Sequence, residues 1–454
     1  MLFTASGLHN KPSCALLTQI IPLVRRQLPV MMTLVLAQHG WADVGVSGTL
    51  EYLGNPERIE DSDSDVMRAL SVDANYARET QNFDVIFDYS ASKEDYRKDL
   101  QFDREFIDGA GIVIWKAIPE TLSLRVSNRR SNQLIDAGVA AIPNNEQIVN
   151  VNSIGPTLNL QFGAANALTL SADYAQSDYD KSARLDNDRT TLNAAYFHAF
   201  SEMLSAQLIF NDTDTEFDGG FSLLDYQLSS LSGSLAYTRS NLTLEAELGE
   251  YRIERQSLTQ KEPLQRLTGI YQLNSRSSVT VSTGKSVQDL ISDPTRWFGF
   301  QLDQSGGFGE ERPAVGSSEV GSIYILRSQS VSYNYTNPAA FNFGLTYRDE
   351  DRDYQGVDRK EVWESLAASF GVPYGERTNI NLQLRYSELD FTQVGGLQER
   401  RDASLGVVYR MSNQLTFSFR AYVADQESQS QIDFYNDYDD SGALISASYR
   451  FGDW

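Results

Sequence analysis

The sequence is poor in the residues from which most active sites and metal sites are built. It contains one cysteine, Cys14, and three histidines, of which only His198 lies beyond residue 42. A single thiol cannot form an internal disulfide or a zinc-thiolate cluster. His198 stands beside a short predicted turn, whereas most serine-type sites need a histidine base next to the nucleophile. We therefore expect no enzyme activity, no cofactor and no metal site.

Positive charge is also scarce. The chain carries 38 lysines and arginines against 61 aspartates and glutamates, a formal net charge of −23. Nucleic-acid binding depends on neutralising phosphates with basic side chains. The charge balance therefore excludes nucleic acid as an expected partner.

The third absence is a hydrophobic run long enough to span a membrane as a helix, which takes about 20 apolar residues. The longest apolar run, 28–37, is about half that length and follows Lys11, Arg25 and Arg26, and residues 1–42 contain no acidic residue. A basic region, a short apolar region and a small-residue end at Ala42 are typical of a secretory signal peptide. We expect residues 1–42 to be that signal and residues 43–454 to be one domain.

What the chain does contain is a repeated alternation of apolar and polar residues. Alternation with a period of two predicts strands with one apolar and one polar face. Examples are Phe83-Val85-Phe87-Tyr89, Leu168-Leu170-Ala172-Tyr174, Leu242-Leu244-Ala246-Leu248, Phe341-Phe343-Leu345-Tyr347, Ile380-Leu382-Leu384-Tyr386 and Leu415-Phe417-Phe419-Ala421. The sequence therefore predicts an all-β protein.

The connections between these strands are of two kinds that alternate along the chain. Short turns such as 79–81, 118–120 and 411–414 alternate with long acidic segments such as 54–65, 253–263, 349–359, 388–400 and 425–441. This alternation predicts about twenty strands, with eighteen or twenty-two as alternatives because the pattern loses phase around Arg327. Short turns on one side only favour a single transmembrane antiparallel up-and-down β-barrel, with short periplasmic turns and long external loops. A soluble β-sandwich also alternates but does not explain the one-sided turns.

The last residues of the chain resemble the final strand of Gram-negative outer-membrane barrels. That strand carries an alternating, aromatic-terminated signal read by the outer-membrane assembly machinery. Here the matching residues are Ala443, Ile445, Ala447, Tyr449 and Phe451, and the chain departs from the pattern by continuing to Trp454. The resemblance implies the cell outer membrane as the location, and Tyr449, Phe451 and Trp454 as the assembly signal. We expect the last strand to close the barrel against the first, 44–53, because hydrocarbon tolerates no open sheet edge.

If apolar residues face lipid, the residues between them line the lumen. Acidic positions fall on the third, seventh and eleventh strands, and arginines mostly on the fifteenth to the twentieth. Two interpretations remain open: a transverse field that selects ions, or a polar lining without selectivity. The predicted lumen-lining charges are Asp84, Asp88, Arg125, Asp173, Glu245, Glu247, Arg348, Arg385, Arg420 and Arg450.

One long loop, 286–319, combines aromatic residues with glycines. Its aromatic residues are Trp297, Phe298, Phe300 and Phe308. Such a loop either folds inward as a constriction or extends outside as an external loop.

A barrel of this size with serine-, asparagine- and tyrosine-rich strands is similar to the barrels encoded with exosortase or exopolysaccharide-export systems. That resemblance implies a conduit for exopolysaccharide export with periplasmic partners. The strand pattern begins at Val44, so we expect no plug of the siderophore-transporter kind. The alternatives are a general or substrate-specific porin for small solutes, and a structural barrel whose loops act as a surface receptor. We expect a monomer in contact with outer-membrane lipid and lipopolysaccharide.

The loop hypothesis makes a direct prediction. Deleting 286–319 should raise single-channel conductance, because an inward loop removes part of the pore cross-section. Planar-bilayer recording checks this, and an unchanged conductance would exclude the loop as a constriction.

Overall fold

The computed structural model describes most of the chain after the predicted signal peptide. The predicted signal peptide, the four aromatic residues of loop 286–319 and Trp454 lie outside the described residues. The described residues are 43–59, 62–135, 142–218, 224–255, 258–289, 323–355, 359–391, 396–429 and 437–451.

Twenty strands make up nearly all of the described chain. Two short 3-10 helices, Pro143–Asn145 and Ala183–Leu185, interrupt the connections. No helix in the described ranges is long and apolar enough to cross a membrane. The strands are β1 Asp43–Leu53, β2 Asp65–Glu79, β3 Phe83–Tyr96, β4 Arg104–Ile118, β5 Leu122–Leu134, β6 Glu146–Phe162, β7 Asn166–Tyr179, β8 Asn187–Ala199, β9 Leu204–Phe217, β10 Tyr226–Arg239, β11 Leu242–Arg255, β12 Leu258–Asn274, β13 Ser277–Asp289, β14 Ile323–Asn337, β15 Phe341–Tyr354, β16 Arg359–Tyr374, β17 Thr378–Phe391, β18 Gly396–Arg410, β19 Leu415–Ser428 and β20 Tyr438–Phe451.

Each strand pairs antiparallel with its neighbours in the chain, and β20 pairs with β1. The closing register places Val44 opposite Phe451 and Leu53 opposite Gly442. The sheet therefore closes into a twenty-stranded up-and-down barrel, as the alternation predicted. Closure pairs the outward backbone groups of the first and last strands, which would otherwise form an exposed edge.

The two faces of the wall have opposite character. One face, called here the outer face, carries leucines, isoleucines and valines whose side chains remain exposed, from 37% for Val126 to 66% for Leu248. The alternate residues, called here the inner face, are largely polar and contact one another. Exposed apolar residues of the outer face include Leu50, Leu70, Leu170, Leu208, Leu235, Leu248, Leu267, Val281, Leu345, Leu384, Leu405 and Ile445. An apolar exterior around a polar interior is the arrangement that a hydrocarbon solvent requires.

The bounds predicted for the long loops are too wide. Segments 253–263 and 388–400 are mostly strand, since β11 runs to Arg255, β12 begins at Leu258 and β17 runs to Phe391. Beyond the apolar band both faces of a strand meet water, so the alternation of apolar and polar residues ends while backbone pairing continues. The same holds for residues 286–289, which belong to β13. The loop deletion should therefore start after Asp289 and end before Ile323.

Adjacent residues of β7 test the assignment of the faces. Leu170→Arg places a charge on the outer face and should destabilise the barrel by about 2 kcal/mol or more, the cost of a cation among lipid chains. Ser171→Arg places the same side chain on the inner face and should be tolerated. Urea unfolding in lipid vesicles measures both, and equal losses of stability would contradict the assignment.

Candidate functional site

The inner face is the candidate site, because a solute that crosses the barrel meets its side chains. The carboxylates predicted to line one arc of the lumen have cations beside them. Asp84 Oδ1 lies 2.7 Å from Lys116 Nζ, and Glu247 Oε2 lies 3.1 Å from Arg266 Nη1. Glu247 also accepts a hydrogen bond from Ser232. Their charges are therefore largely compensated within one neighbouring strand.

The arginines of the opposite arc have acidic neighbours in the same way. Arg348 lies 3.6 Å from Glu350 and Arg450 lies 3.5 Å from Asp43. Arg385 stands opposite Asp402 in the register of β17 and β18. Arg420 of β19 stands opposite Leu444 of β20 in the register, and its acidic neighbour is Glu51 of β1.

Two predicted carboxylates have less compensation than the rest. Asp88 of β3 lies near a second carboxylate, Asp73 of β2, with Arg450 as a cation in reach. Glu245 stands opposite Thr268, and its register partner is therefore neutral. Local ion pairs thus reduce the transverse field that the separation of signs along the sequence predicts.

Arg125 and Asp173 form an ion pair across an intervening strand. Arg125 belongs to β5 and Asp173 to β7, yet Nη2 and Oδ1 are 2.7 Å apart. Between them on β6 stands Gly155, where an added Cβ would lie 2.2 Å from Asp173 Oδ1 and 2.2 Å from the carbonyl oxygen of Ala172. Only a residue without a side chain leaves room for this bridge. The predicted lumen residues Arg125 and Asp173 therefore fix the spacing of three strands.

A second bridge of this kind crosses the seam where the barrel closes. Tyr422 of β19 reaches over Gly442 of β20 and hydrogen-bonds Glu51 of β1. An added Cβ at Gly442 would lie 2.5 Å from the tyrosine ring. The side chains therefore reinforce the closure that the backbone makes.

Between the charges, the inner face carries pairs of short neutral side chains. Each pair joins a hydroxyl or amide on one strand to a hydroxyl or amide on the next. They are spread around the barrel, on β2 and β3, on β5 to β9, on β12 to β15, and on β19 and β20. The pairs are Ser71 with Ser92, Ser127 with Ser153, Thr169 with Asn159, Thr191 with Thr213, Asn193 with Asn211, Thr268 with Ser282, Thr346 with Ser332 and Ser418 with Ser446.

An aromatic and charged cluster lies at the long-loop end of β14, β15 and β16. The guanidinium carbon of Arg352 is 4.8 Å from the ring centre of Trp363 and 6.0 Å from that of Tyr324. Tyr354 and Trp363 both donate hydrogen bonds to the buried carboxylate of Glu361, at 3.0 and 3.3 Å. The acidic pattern of 349–359 predicts a loop, so this cluster was not expected from the sequence. The alternation of Arg352 with Tyr354, and of Glu361 with Trp363, is the signal that indicates strands there.

The remaining predicted site residues lie at the short-turn end or outside the described chain. Tyr449 and Phe451 are in edge-to-face contact, with ring centres 5.1 Å apart, and Tyr449 donates to Gln414. His198 contacts Asn166 through Nδ1 at 2.8 Å and packs edge-on against Phe200. Among the described residues, no group of histidine, cysteine, aspartate and glutamate side chains is arranged to hold a metal ion.

Comparison with solved structures places the fold among outer-membrane barrels. The FrpB iron transporter of Neisseria meningitidis (F3-3 variant) is similar over 90% of this chain and 81% of its own, with 10% identity and a TM-score of 0.51. A ferric enterobactin receptor of Pseudomonas aeruginosa covers 90% of this chain and 80% of its own, with 11% identity and a TM-score of 0.49. No family model matches the sequence, and no curated protein matches it.

At this level of identity the likeness concerns the fold. The closed twenty-stranded wall, its apolar outer face and this likeness define an outer-membrane β-barrel. Its location is the outer membrane of a Gram-negative bacterium, as the end of the sequence implied.

Gly155 provides a test of the bridge that it accommodates. Gly155→Val should separate Arg125 from Asp173 and destabilise the barrel by about 1–3 kcal/mol, the usual cost of overpacking. Gly48→Val is the matched control, because no atom lies within 4 Å of an added Cβ at Gly48. Unfolding followed by the gel mobility of heated and unheated samples compares the two variants. Equal stability would show that the bridge is not a constraint on the wall.

Proposed function

We propose that this barrel is a passive conduit for a neutral, hydroxyl-rich polymer, an exopolysaccharide that leaves the cell. The observation that carries the proposal is the set of cross-strand hydroxyl and amide pairs around the inner face. Such groups exchange hydrogen bonds with sugar hydroxyls, and each already has a partner on the protein. A sugar chain can therefore contact the wall without being held at any one point.

The ion pairs of the inner face support the same function. A neutral chain gains nothing from unpaired lumen charges, whereas a pore for ions or charged solutes uses charged side chains to select them. Here Asp84, Asp173, Glu247 and Arg348 each have a partner of opposite sign within 3.6 Å. Compensated charge leaves hydrogen bonding as the main contact between wall and solute.

The proposal extends to partners and to the absence of catalysis. An exported polymer must be supplied from the periplasm, so we propose periplasmic export components as partners at the short-turn end, together with outer-membrane lipid and the assembly machinery around a monomeric barrel. His198 lies at this end with its ring engaged by Asn166 and Phe200. Because these contacts engage the imidazole, we propose that His198 does not act as a base and that the barrel has no enzyme activity.

A second candidate, a substrate-specific uptake channel, is favoured by one observation. The cluster of Tyr324, Arg352 and Trp363 lies at the long-loop end, where a solute from outside arrives first. Aromatic rings and a guanidinium group together recognise ring-shaped or anionic ligands. The two candidates differ in which solute interacts with the pore and from which side.

Current recordings distinguish the candidates. Linear neutral oligosaccharides added to a planar bilayer that contains the purified barrel should interrupt the current briefly and from the short-turn side. Acidic oligosaccharides of equal length should enter less readily after Thr191→Glu, which adds a charge to the inner face. Thr190→Glu adds the same charge to the outer face and should have no effect. Interruption by small anionic ligands from the long-loop side alone would favour uptake and contradict export.

A further inference from the structure

As between β4 and β5, the wall of the barrel divides at its long-loop end between β12 and β13. Their pairing ends with Gln265 opposite Lys285, although β12 continues along β11 to Leu258 and β13 continues along β14 to Asp289. Pro263 stands just beyond the last pair and lacks the N–H that a ladder needs. The external end of β13 is therefore free to leave the wall.

An ion pair shows the direction in which it leaves. Lys285 belongs to the outer-face set of β13, together with the exposed Val281, whereas Glu262 belongs to the inner-face set of β12, together with Leu264. Lys285 Nζ nevertheless lies 2.7 Å from Glu262 Oε2. An outer-face residue meets an inner-face residue of the next strand only if the end of β13 lies inside β12.

Apolar packing also indicates that the end of β13 lies inside β12. By their alternation along the strands, Val287 and Ile323 belong to the outer face. Val281 and Val331 of that face are both 47% exposed, whereas Val287 is 3% exposed and Ile323 is 0% exposed. They belong to one buried cluster with Tyr251, Ile253 and Leu264, which are inner-face residues of β11 and β12. The outer face of the β13 and β14 ends is thus covered by the inner face of their neighbours.

Hydrogen bonds connect the strands on either side of the displaced ends. Arg255 Nη1, at the end of β11, donates to the carbonyl oxygen of Gln355, directly after β15, at 2.9 Å. The N–H of Gln355 in turn donates to the carbonyl oxygen of Ile323 at 2.7 Å. Strands β11 and β15 approach each other at this end because the ends of β13 and β14 no longer lie between them in the wall.

We propose that residues 286–289 and 323–326 form a movable inner layer that narrows the conduit and opens it by returning into the wall. In the open state β13 extends its register along β12 and pairs with residues 258–264, whose edge on that side has no partner strand among the described residues. In the closed state the Lys285–Glu262 ion pair and the apolar cluster hold the layer inward. The proposal rests on the conduit function, since it describes how that conduit is regulated.

The residues on this edge of β12 support a barrel that alternates between a closed and an open state over one in which the gap between β12 and β13 is always open. Lys261 and Pro263 lie on it, and lysine and proline are the residues that protect strand edges from foreign strands. Pro263 also leaves the open-state ladder one hydrogen bond short, which favours the inward layer at rest. These two residues therefore disfavour pairing of this edge with a strand from another protein, while β13 can still pair with it.

A cysteine pair tests whether the layer moves. In a Cys14→Ser background, Ile253→Cys with Ile323→Cys should crosslink under oxidation and hold the channel at its lowest conductance. Reduction should restore the larger openings. Mass spectrometry of the folded barrel measures the crosslink independently of current.

The ion pair is tested by charge reversal. Glu262→Lys should raise the ratio of open to closed states roughly twofold to fivefold, as expected for a partly exposed pair. Adding Lys285→Glu to the same chain should restore the original ratio. Lys93→Glu is the control, because it breaks the exposed Lys93–Glu105 pair between β3 and β4, away from the inner layer, and should leave the ratio unchanged.

The outcomes separate this inference from the function on which it rests. A crosslink that does not form, or that forms without altering conductance, overturns the inner layer and leaves the conduit intact. A barrel that passes no ions in either redox state, with or without Glu262→Lys, overturns both.

Discussion

The whole structure depends on one constraint: inside hydrocarbon, every backbone N–H and C=O must find a partner within the protein. Twenty strands satisfy it only as a closed sheet, which is why the last strand pairs with the first from Val44 to Leu53. The apolar outer face follows from the same solvent. The inner face meets water and not hydrocarbon, so it can carry polar side chains. Function is therefore confined to that face and to the strand ends beyond the membrane.

How far the sequence predicts this structure depends on where each residue lies. Within the membrane, lipid on one side and water on the other impose a period of two, so the strand number, the closure and the position of Leu170 or Asp173 follow from alternation. Beyond the membrane that contrast disappears, and strands such as the end of β15 look like loops. The bridge from Arg125 to Asp173 depends on a three-strand register and on Gly155, which no local pattern reveals. The loss of phase around Arg327 did indicate something real: the end of β14 directly before it, residues 323–326, lies inside the wall, without any change in strand number.

The charges of the inner face and the inner layer belong to one account of transport. Pairs such as Asp84 with Lys116 remove strong point attractions from the lumen, and hydroxyl and amide pairs leave weak, distributed contacts. Under the proposed function, a long neutral chain passes along this wall, and the wall by itself does not stop leakage when the chain is absent. The proposed inner layer, held inward by Lys285, Glu262 and a small apolar cluster, supplies that closure.

We propose above all that the barrel encloses a water-filled conduit whose charges are compensated. Single-channel conductance and ion selectivity of the purified barrel in a planar bilayer test this proposal. We expect conductance that alternates between a low and a higher level, with weak preference between cations and anions. Strong selectivity for either ion, or no conductance under any condition, would contradict it.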